Sequence, residues 1–223
     1  MKKNKKLVIF GLESTAKMAH FYFERDTEYE VCAFTADDAF IKASSYLGLP
    51  TAPFSQVETL YPPSEYEMFV AIGYNKMNKI REQKYYEAKT KGYKLPNYIS
   101  PRCNFLTSEP IGDNNFIMED NTIQPFVTIG NNNVFWSGNH IGHETQIGDH
   151  CFVTSHVVIS GFVKVKNNCF FGVNATIRDA IIIETESLIA AGAIIMKSTE
   201  PRGVYVPART VKLEKTSDQI TIS

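Results

Sequence analysis

The sequence predicts a small Rossmann-like α/β unit followed by a left-handed parallel β-helix, and two patterns carry that prediction. Every sixth residue from Ile111 to Ile195 is aliphatic or aromatic, in a chain that is 43% hydrophobic overall. Neither the helical period of about 3.6 nor the strand period of about 2 produces a strict six-residue repeat, which is typical of a parallel β-helix. Before residue 100, apolar runs alternate with amphipathic stretches, which favours strands alternating with helices.

The N-terminal unit should bring several polar loops to one rim. Predicted strands cover residues 5–11, 29–35, 68–75 and 93–99, and predicted helices cover 17–25, with Ser14 as a possible cap, and 75–92. Ligands of parallel α/β sheets bind at the carboxyl ends of the strands. The rim therefore holds the Gly11–Thr15 loop, Asp37, Asp38 and the Gly73–Asn75 loop.

The first of these loops argues against a dinucleotide. It reads GLESTA, with a single glycine and with Glu13 where a phosphate would approach. The dinucleotide fingerprint needs three glycines, and a carboxylate repels a pyrophosphate. Two alternatives stay open, a sugar nucleotide held by backbone amides at the helix N-terminus and a scaffold that binds no ligand.

Bulk composition excludes several classes of protein. Lys and Arg total 23 and Asp and Glu total 24, so charge gives no case for nucleic acid or an acidic membrane surface as a partner. The basic start is followed by too few apolar residues for a secretory signal, and no stretch is apolar enough to span a membrane. We expect a soluble cytoplasmic protein.

The hexads also predict domain boundaries. Residues 1–100 should form the Rossmann-like domain, 101–200 the β-helix and 201–223 a C-terminal cap and tail, with the coils beginning between Phe105 and Ile111. The segment PRGVYVPAR breaks the repeat and should cover the last coil, because an open β-helix end needs covering. Its Arg202 and Arg209 are either solvated or available to cofactor phosphates.

Three hexads make one coil of the β-helix, so residues that are three hexads apart should stack on the same face. Cys151 and Cys169 are then neighbours, either as two reduced core residues or as a disulfide or metal pair. His150 and His156 are a single hexad apart and should point from different sides of the prism. Each is therefore expected at the surface or between subunits.

His143 is the best-placed candidate for catalysis. It follows a core isoleucine by two positions, Glu144 is next to it, and Gly161 lies one coil later on the same face. A general base needs an orienting group and a nearby donor for developing oxyanion charge. Glu144 and the Gly161 amide supply both, whereas the alternative is a surface histidine at a turn.

The hexad run, the segment GNHIGHETQIGDHCFVTSHVVISG and the N-terminal segments IFGLESTAKMA, YEVCAFTADD and VAIGYNK resemble one family. It comprises bacterial sugar O- and N-acyltransferases that join a nucleotide-sugar-binding domain to a left-handed β-helix. Acetyltransferases of UDP-linked 4-amino sugars and sialic acid O-acetyltransferases are members. The resemblance spans roughly residues 5–207.

The resemblance implies roles for named residues. His143 matches the catalytic base, Glu144 the acidic residue after it, and Gly161 the amide that binds the thioester oxygen of acetyl-CoA. Val173, Ala191 and Gly192 match positions that line the CoA groove between subunits of a homotrimer. A nucleotide-sugar site would use Glu13, Ser14, Thr15, Asp37, Asp38 and Gly73.

Two positions depart from the family pattern. Phe152 stands where relatives often carry a second histidine that contacts the cofactor. The first turn reads Glu13-Ser14-Thr15 where relatives tend to have an uncharged, glycine-rich loop, which leaves the identity of the substrate open.

The predicted activity is acetyl-CoA-dependent acetylation of an amino sugar, carried on a nucleotide, for surface glycan synthesis, with no resident metal. A sugar O-acetyltransferase of the same fold is the first alternative. A β-helical zinc hydratase and a non-catalytic binding module are the others. The sequence leaves the acceptor group, the sugar and the nucleotide open.

Overall fold

A computed structural model describes residues 2–220. The α/β unit contains, in chain order, β1 (Lys5–Phe10), α1 (Ser14–Asp26), β2 (Tyr29–Ala36), a 3-10 turn (Asp38–Phe40), β3 (Ser45–Tyr46), β4 (Leu49–Pro53), α2 (Val57–Leu60), β5 (Tyr66–Val70) and α3 (Lys79–Thr90). The sheet order is β3-β4-β2-β1-β5, and only β3 runs antiparallel to its neighbour. The predicted alternation of strands and helices is confirmed.

The position of β1 defines where a ligand can enter. It lies between β2 and β5, so the chain order of the strands reverses on either side of it. Leu7, Val8 and Ile9 are fully buried because helices or coils cover both faces of the sheet. The loops after β1 and β5 therefore open at the topological switch point, where α/β sheets bind ligands.

Helix α1 and strand β5 differ from the predictions for this unit, and one pair of strands was not predicted. Helix α1 begins at Ser14 itself, and Glu13 precedes it without a side-chain capping bond, so Ser14 does not cap the helix. Strand β5 ends at Val70, and residues 71–75 form a loop. The β3–β4 hairpin is a further pair of strands, which the turn at Leu47-Gly48 closes with positive φ at both residues.

The second half is a left-handed parallel β-helix of two-residue strands. They are β6 (Tyr98–Ile99), β7 (Asn104–Phe105), β8 (Phe116–Ile117), β9 (Thr122–Ile123), β10 (Thr128–Ile129), β11 (Val134–Phe135), β12 (His140–Ile141), β13 (Gln146–Ile147), β14 (Phe152–Val153), β15 (Val158–Ile159), β16 (Lys164–Val165), β17 (Phe170–Phe171), β18 (Thr176–Ile177), β19 (Ile182–Ile183), β20 (Leu188–Ile189), β21 (Ile194–Ile195) and β22 (Val204–Tyr205). Successive coils pair at the predicted spacing of three hexads, as His140 with Val158 shows.

The hexad pattern is explained by one inward side chain and one left-handed residue in each repeat. Ile123, Phe135 and Ile141 are fully buried in a single core that runs the length of the prism. A residue with positive φ recurs every sixth position, for example Asn132 at 57° and Glu144 at 59°. Asparagine tolerates this conformation better than most residues, which accounts for the asparagines at the turns.

The β-helix begins earlier than predicted. Tyr98–Ile99 pairs with Phe116–Ile117, and Asn104–Phe105 pairs with Thr122–Ile123. Residues 98–99 therefore belong to the first coil and not to the α/β sheet, because they already lie one full coil before the strand they pair with. The division of the chain at residues 100 and 200 stays a prediction.

The prism has three sheets and three edges. Two edges are named after the helix that packs on them, and the third is called the far edge. The first sheet contains β6, β8, β11, β14, β17, β20 and β22, the second β7, β9, β12, β15, β18 and β21, and the third β10, β13, β16 and β19. The α1 edge joins the first and second sheets (turns such as 136–139), the far edge joins the second and third (142–145, 160–163), and the α3 edge joins the third and first (130–133, 148–151).

The α/β unit docks on the first sheet and on the edges at its two sides. Tyr22 of α1 donates to Glu119 at 2.6 Å on the α1 edge. The buried Arg81 of α3 donates to carbonyls on the α3 edge, among them that of Cys151 at 3.1 Å. Phe116, Val134 and Phe152 of the first sheet share one hydrophobic core with α1. The far edge lies on the opposite side of the prism.

The segment after residue 196 covers the last coil. Val204–Tyr205 pairs with Leu188–Ile189, and the Thr199 hydroxyl accepts a hydrogen bond from the Glu184 amide at 2.7 Å. Arg202 is exposed beside Glu186, and Arg209 is exposed. Within residues 2–220, no helix is both long and apolar enough to cross a membrane.

Candidate active site

His143 stands on the far edge with one ring nitrogen engaged. Its Nδ1 lies 3.1 Å from a Glu144 carboxylate oxygen, and its side chain is 51% exposed. The backbone amide of His143 donates to the Gln124 side chain at 2.8 Å, and Phe162 packs edge-to-face on the imidazole with centroids 4.9 Å apart. A carboxylate on Nδ1 favours the tautomer that leaves Nε2 unprotonated and available as a base.

Gly161 lies directly against this ring. A β-carbon added at Gly161 would come within 2.9 Å of both Cε1 and Nε2 of His143. The Gly161 N–H has no hydrogen-bond acceptor among residues 2–220. The far edge therefore combines a candidate base with a free backbone donor beside it, which is the pair that acyl transfer requires.

Gly142 keeps that donor uncovered. A β-carbon added at Gly142 would lie 2.5 Å from the Gly161 nitrogen. Any larger residue at 142 would displace the Gly161 amide or block access to it. Sequence reasoning missed Gly142, Gln124 and Phe162, although each lies about one coil from His143 or Gly161 and the stacking rule would have found them.

The candidate CoA residues cluster on a different edge. Val173 and Ala191 lie one coil apart and are exposed on the α1 edge, and the Gly192 amide donates to the Val173 carbonyl at 2.8 Å. The structure brings these three residues together. It does not bring them to His143 and Gly161 within one chain, because the second sheet separates the two edges.

The candidate substrate loops meet at the switch point of the α/β sheet. A β-carbon added at Gly73 would lie 3.8 Å from the Thr15 hydroxyl, so the loops after β1 and β5 touch. Glu13 and Ser14 are exposed at the start of α1, where the first amides of the helix point outward. Gly11 fits only as glycine, since its φ is +134° and a β-carbon would reach the Ala71 carbonyl oxygen at 2.6 Å.

The two aspartates line a cavity of about 690 Å³ at the ends of β2 and β4, next to α3. Asp37 accepts from Lys84 at 2.6 Å, and Asp38 accepts from the Ser55 hydroxyl at 2.6 Å. The Ser55 side chain and amide lower the pKa of Asp38. Burial opposes protonation of Lys84, but hydrogen bonds to Asp37 and Glu87 raise its pKa. Both aspartates therefore already have a partner within the chain.

Two further histidines and two cysteines of the β-helix differ in burial. His150 is 1% exposed, with Nδ1 2.9 Å from the Asn132 amide nitrogen, so it is a buried residue of the α3 edge and not the expected surface residue. His156 is exposed on the α1 edge, a different side from His150 as predicted. Cys151 and Cys169 are buried and free, which is the expected reduced pair. Among residues 2–220 no group of three or more His, Cys, Asp or Glu side chains is arranged to hold a metal ion.

The repeats match the family described as bacterial transferase hexapeptide (six repeats), over residues 111–143 and 128–161. The acetyltransferase domain of PglB from Neisseria gonorrhoeae FA1090 has a similar structure, with a TM-score of 0.80 at 20% identity over 92% of this chain and 100% of that one. PerB from Caulobacter crescentus, in complex with CoA and GDP-perosamine, has a TM-score of 0.79 at 23% identity over 89% and 92%.

WeeI from Acinetobacter baumannii AYE is a third similar structure, with a TM-score of 0.76 at 16% identity over 90% of this chain and 96% of that one. These matches confirm the predicted fold, an α/β unit followed by a left-handed β-helix of hexapeptide repeats. Each match covers the α/β unit as well as the coils, so the shared architecture is that of nearly the whole chain.

Proposed function

We propose that this protein is an acetyl-CoA-dependent N-acetyltransferase that acts on a nucleotide-linked amino sugar. The observation that carries the proposal is the far edge, where the imidazole of His143 lies between the Glu144 carboxylate and the free Gly161 amide. The similar PerB structure holds CoA and GDP-perosamine, a nucleotide-linked sugar, and one PglB structure holds acetyl coenzyme A.

The geometry supports direct transfer of the acetyl group. With Nδ1 protonated and facing Glu144, Nε2 of His143 takes a proton from the sugar amine as the amine nitrogen attacks the thioester carbon. The carbonyl oxygen becomes an oxyanion and accepts a hydrogen bond from the Gly161 N–H. The tetrahedral intermediate then expels CoA as a thiolate, which takes the amine-derived proton from the imidazolium, so the base returns to its starting state.

The site requires more than one copy of the chain. His143 and Gly161 lie on the far edge, whereas the switch-point loops belong to the α/β unit and Val173 and Ala191 lie on the α1 edge. We propose a homotrimer in which the far edge of one copy faces the α1 edge of the next. Exposed apolar residues on the second sheet and far edge support such burial, namely Val158, Phe162 and Ile194.

The product would enter surface glycan synthesis, as the sequence resemblance to bacterial sugar acyltransferases implies. Of the three similar structures, that of PglB is an acetyltransferase domain and that of PerB is a complex with CoA and GDP-perosamine. The far edge of this chain has all three residues that the proposed acetyl transfer uses, namely the base His143, its acidic neighbour Glu144 and the amide donor Gly161.

The test combines binding with turnover. The purified protein should melt at a higher temperature with acetyl-CoA, because a ligand of the folded state stabilises it by mass action. It should then release free CoA with at least one member of a panel of UDP-, dTDP- and GDP-linked 4-amino sugars. The matching 4-hydroxy sugars serve as controls. If CoA is released only with these sugars, the protein is an O-acetyltransferase and not an N-acetyltransferase. If acetyl-CoA does not raise the melting temperature and no sugar in the panel leads to release of CoA, the proposal is refuted.

A further inference from the structure

Tyr74 presents an aromatic ring to solvent at the end of the β5 loop. Its side chain is 53% exposed, yet the ring packs edge-to-face on Phe152 at 5.1 Å and tilted on Phe170 at 4.9 Å between centroids. Phe152 and Phe170 stack on each other at 6.0 Å on adjacent coils. Tyr74 is therefore an exposed ring on a rigid aromatic shelf, not a freely moving surface residue.

The loop that carries Tyr74 is held from the β-helix side by Arg81. This guanidinium is fully buried without a carboxylate partner among the described residues, and burial lowers its pKa to about 10. Its N–H donors go to five acceptors, among them the Gly73 carbonyl at 3.0 Å and the His150 carbonyl at 2.9 Å. Arg81 thus ties the residue before Tyr74 to the coil that contains the shelf.

The backbone after Tyr74 is in a conformation that needs support. Lys76, Met77 and Asn78 have φ values of 51°, 50° and 66°, three successive left-handed residues without a glycine. Such a run costs free energy and persists only where the surroundings hold it, which occurs most often at ligand sites. The buried Asn78 holds it here, since its side chain donates to the Cys169 carbonyl at 3.2 Å.

The order of the strands places Tyr74 in line with the other candidate substrate residues. The Asp37–Asp38 cavity lies at the ends of β2 and β4, the α1 N-terminus follows β1, and Tyr74 follows β5 on the side of the coils. A helix N-terminus suits a phosphate group. A nucleoside in the cavity and a diphosphate at α1 would therefore direct the linked sugar onto Tyr74.

We propose that Tyr74 is the specificity-determining platform for the acceptor and receives the apolar face of its sugar ring, an inference that rests on the proposed sugar transferase function. An aromatic ring offers a broad apolar face to the C–H groups of a sugar.

Steady-state kinetics of Tyr74→Ala tests the platform. The acceptor is the nucleotide-linked 4-amino sugar with which the wild-type protein releases CoA from acetyl-CoA fastest. We expect the KM for the sugar nucleotide to rise about tenfold, with the KM for acetyl-CoA within about twofold of wild type. Tyr74→Phe should restore the wild-type KM, since the ring and not the hydroxyl forms the platform.

Phe21→Ala is the matched control, because Phe21 is equally exposed at 53% but lies on the outer face of α1. An unchanged sugar KM in Tyr74→Ala would overturn the inference. A changed assembly state in size-exclusion chromatography, with both KM values altered, would also overturn it and assign the ring to an interface. A wild-type protein that acetylates no sugar would refute the proposed function itself, so the two failures are distinguishable.

Discussion

His143 and His150 lie on neighbouring edges of the same β-helix, yet their surroundings differ completely. His143 is half exposed on the far edge, with a carboxylate at Nδ1 and no protein partner at Nε2 among the described residues. His150 is buried under α3, where the Asn132 amide faces Nδ1 and the Tyr86 hydroxyl lies 3.4 Å from Nε2. The rings of Tyr85 and Tyr86 both pack edge-to-face on it.

The difference shows that a histidine of this fold is accessible or buried according to whether the α/β unit covers its edge of the β-helix. The α/β unit covers the α3 edge and makes His150 a structural residue whose pKa burial lowers. Nothing in the described chain covers the far edge, so His143 stays accessible to a substrate.

The largest effect should follow loss of the base. His143→Ala should reduce kcat by about 10²- to 10⁴-fold, the usual contribution of a general base, while the melting temperature and assembly state stay unchanged. His20→Ala is the matched control, because His20 is also partly exposed and also packs edge-to-face on a phenylalanine, Phe34, but belongs to α1. Equal losses in both variants would contradict the assignment.

The buried histidine should control acid stability instead. Its folded pKa is lowered, mainly by burial, so the unfolded chain takes up a proton first as pH falls below about 6.5 and the free energy of unfolding decreases. His150→Asn extends the asparagine column of Asn114, Asn132 and Asn168. We expect the free energy of unfolding, measured by denaturant titration, to fall less between pH 7 and pH 5 in this variant than in the wild type, with activity retained. An unchanged pH dependence would mean that His150 does not titrate on unfolding.

The smallest effect should come from the carboxylate beside the base. Glu144→Ala should lower kcat about threefold to tenfold, because an exposed carboxylate orients the imidazole without taking part in proton transfer. Asp179→Asn provides the control and should leave kcat unchanged, since Asp179 is also an exposed carboxylate of the far edge but lies two coils beyond His143. A Glu144→Ala loss as large as that of His143→Ala would show that Glu144 is itself essential.

The sequence predicted the β-helix well because each hexad is a local signal that repeats without interruption. The three-hexad spacing alone was enough to place Gly161 beside His143 and Cys151 beside Cys169. It could not predict which edge the α/β unit covers, since docking depends on Arg81 and Tyr22, which look like ordinary helix residues in the sequence. For the same reason the burial of His150 and the Tyr74 shelf were missed.

Co-expression of two differently tagged variants tests most directly whether the site forms between copies. His143→Ala removes the base, and Gly73→Phe fills the candidate substrate loop at a position where an added β-carbon meets only the Thr15 hydroxyl. Each variant alone should be inactive. Mixed trimers purified through both tags should recover about a third of the wild-type activity, because one of their three interfaces joins an intact far edge to an intact loop. If the mixed protein is as inactive as each variant alone, the base and the acceptor loop act within one chain and the proposed site between copies is wrong.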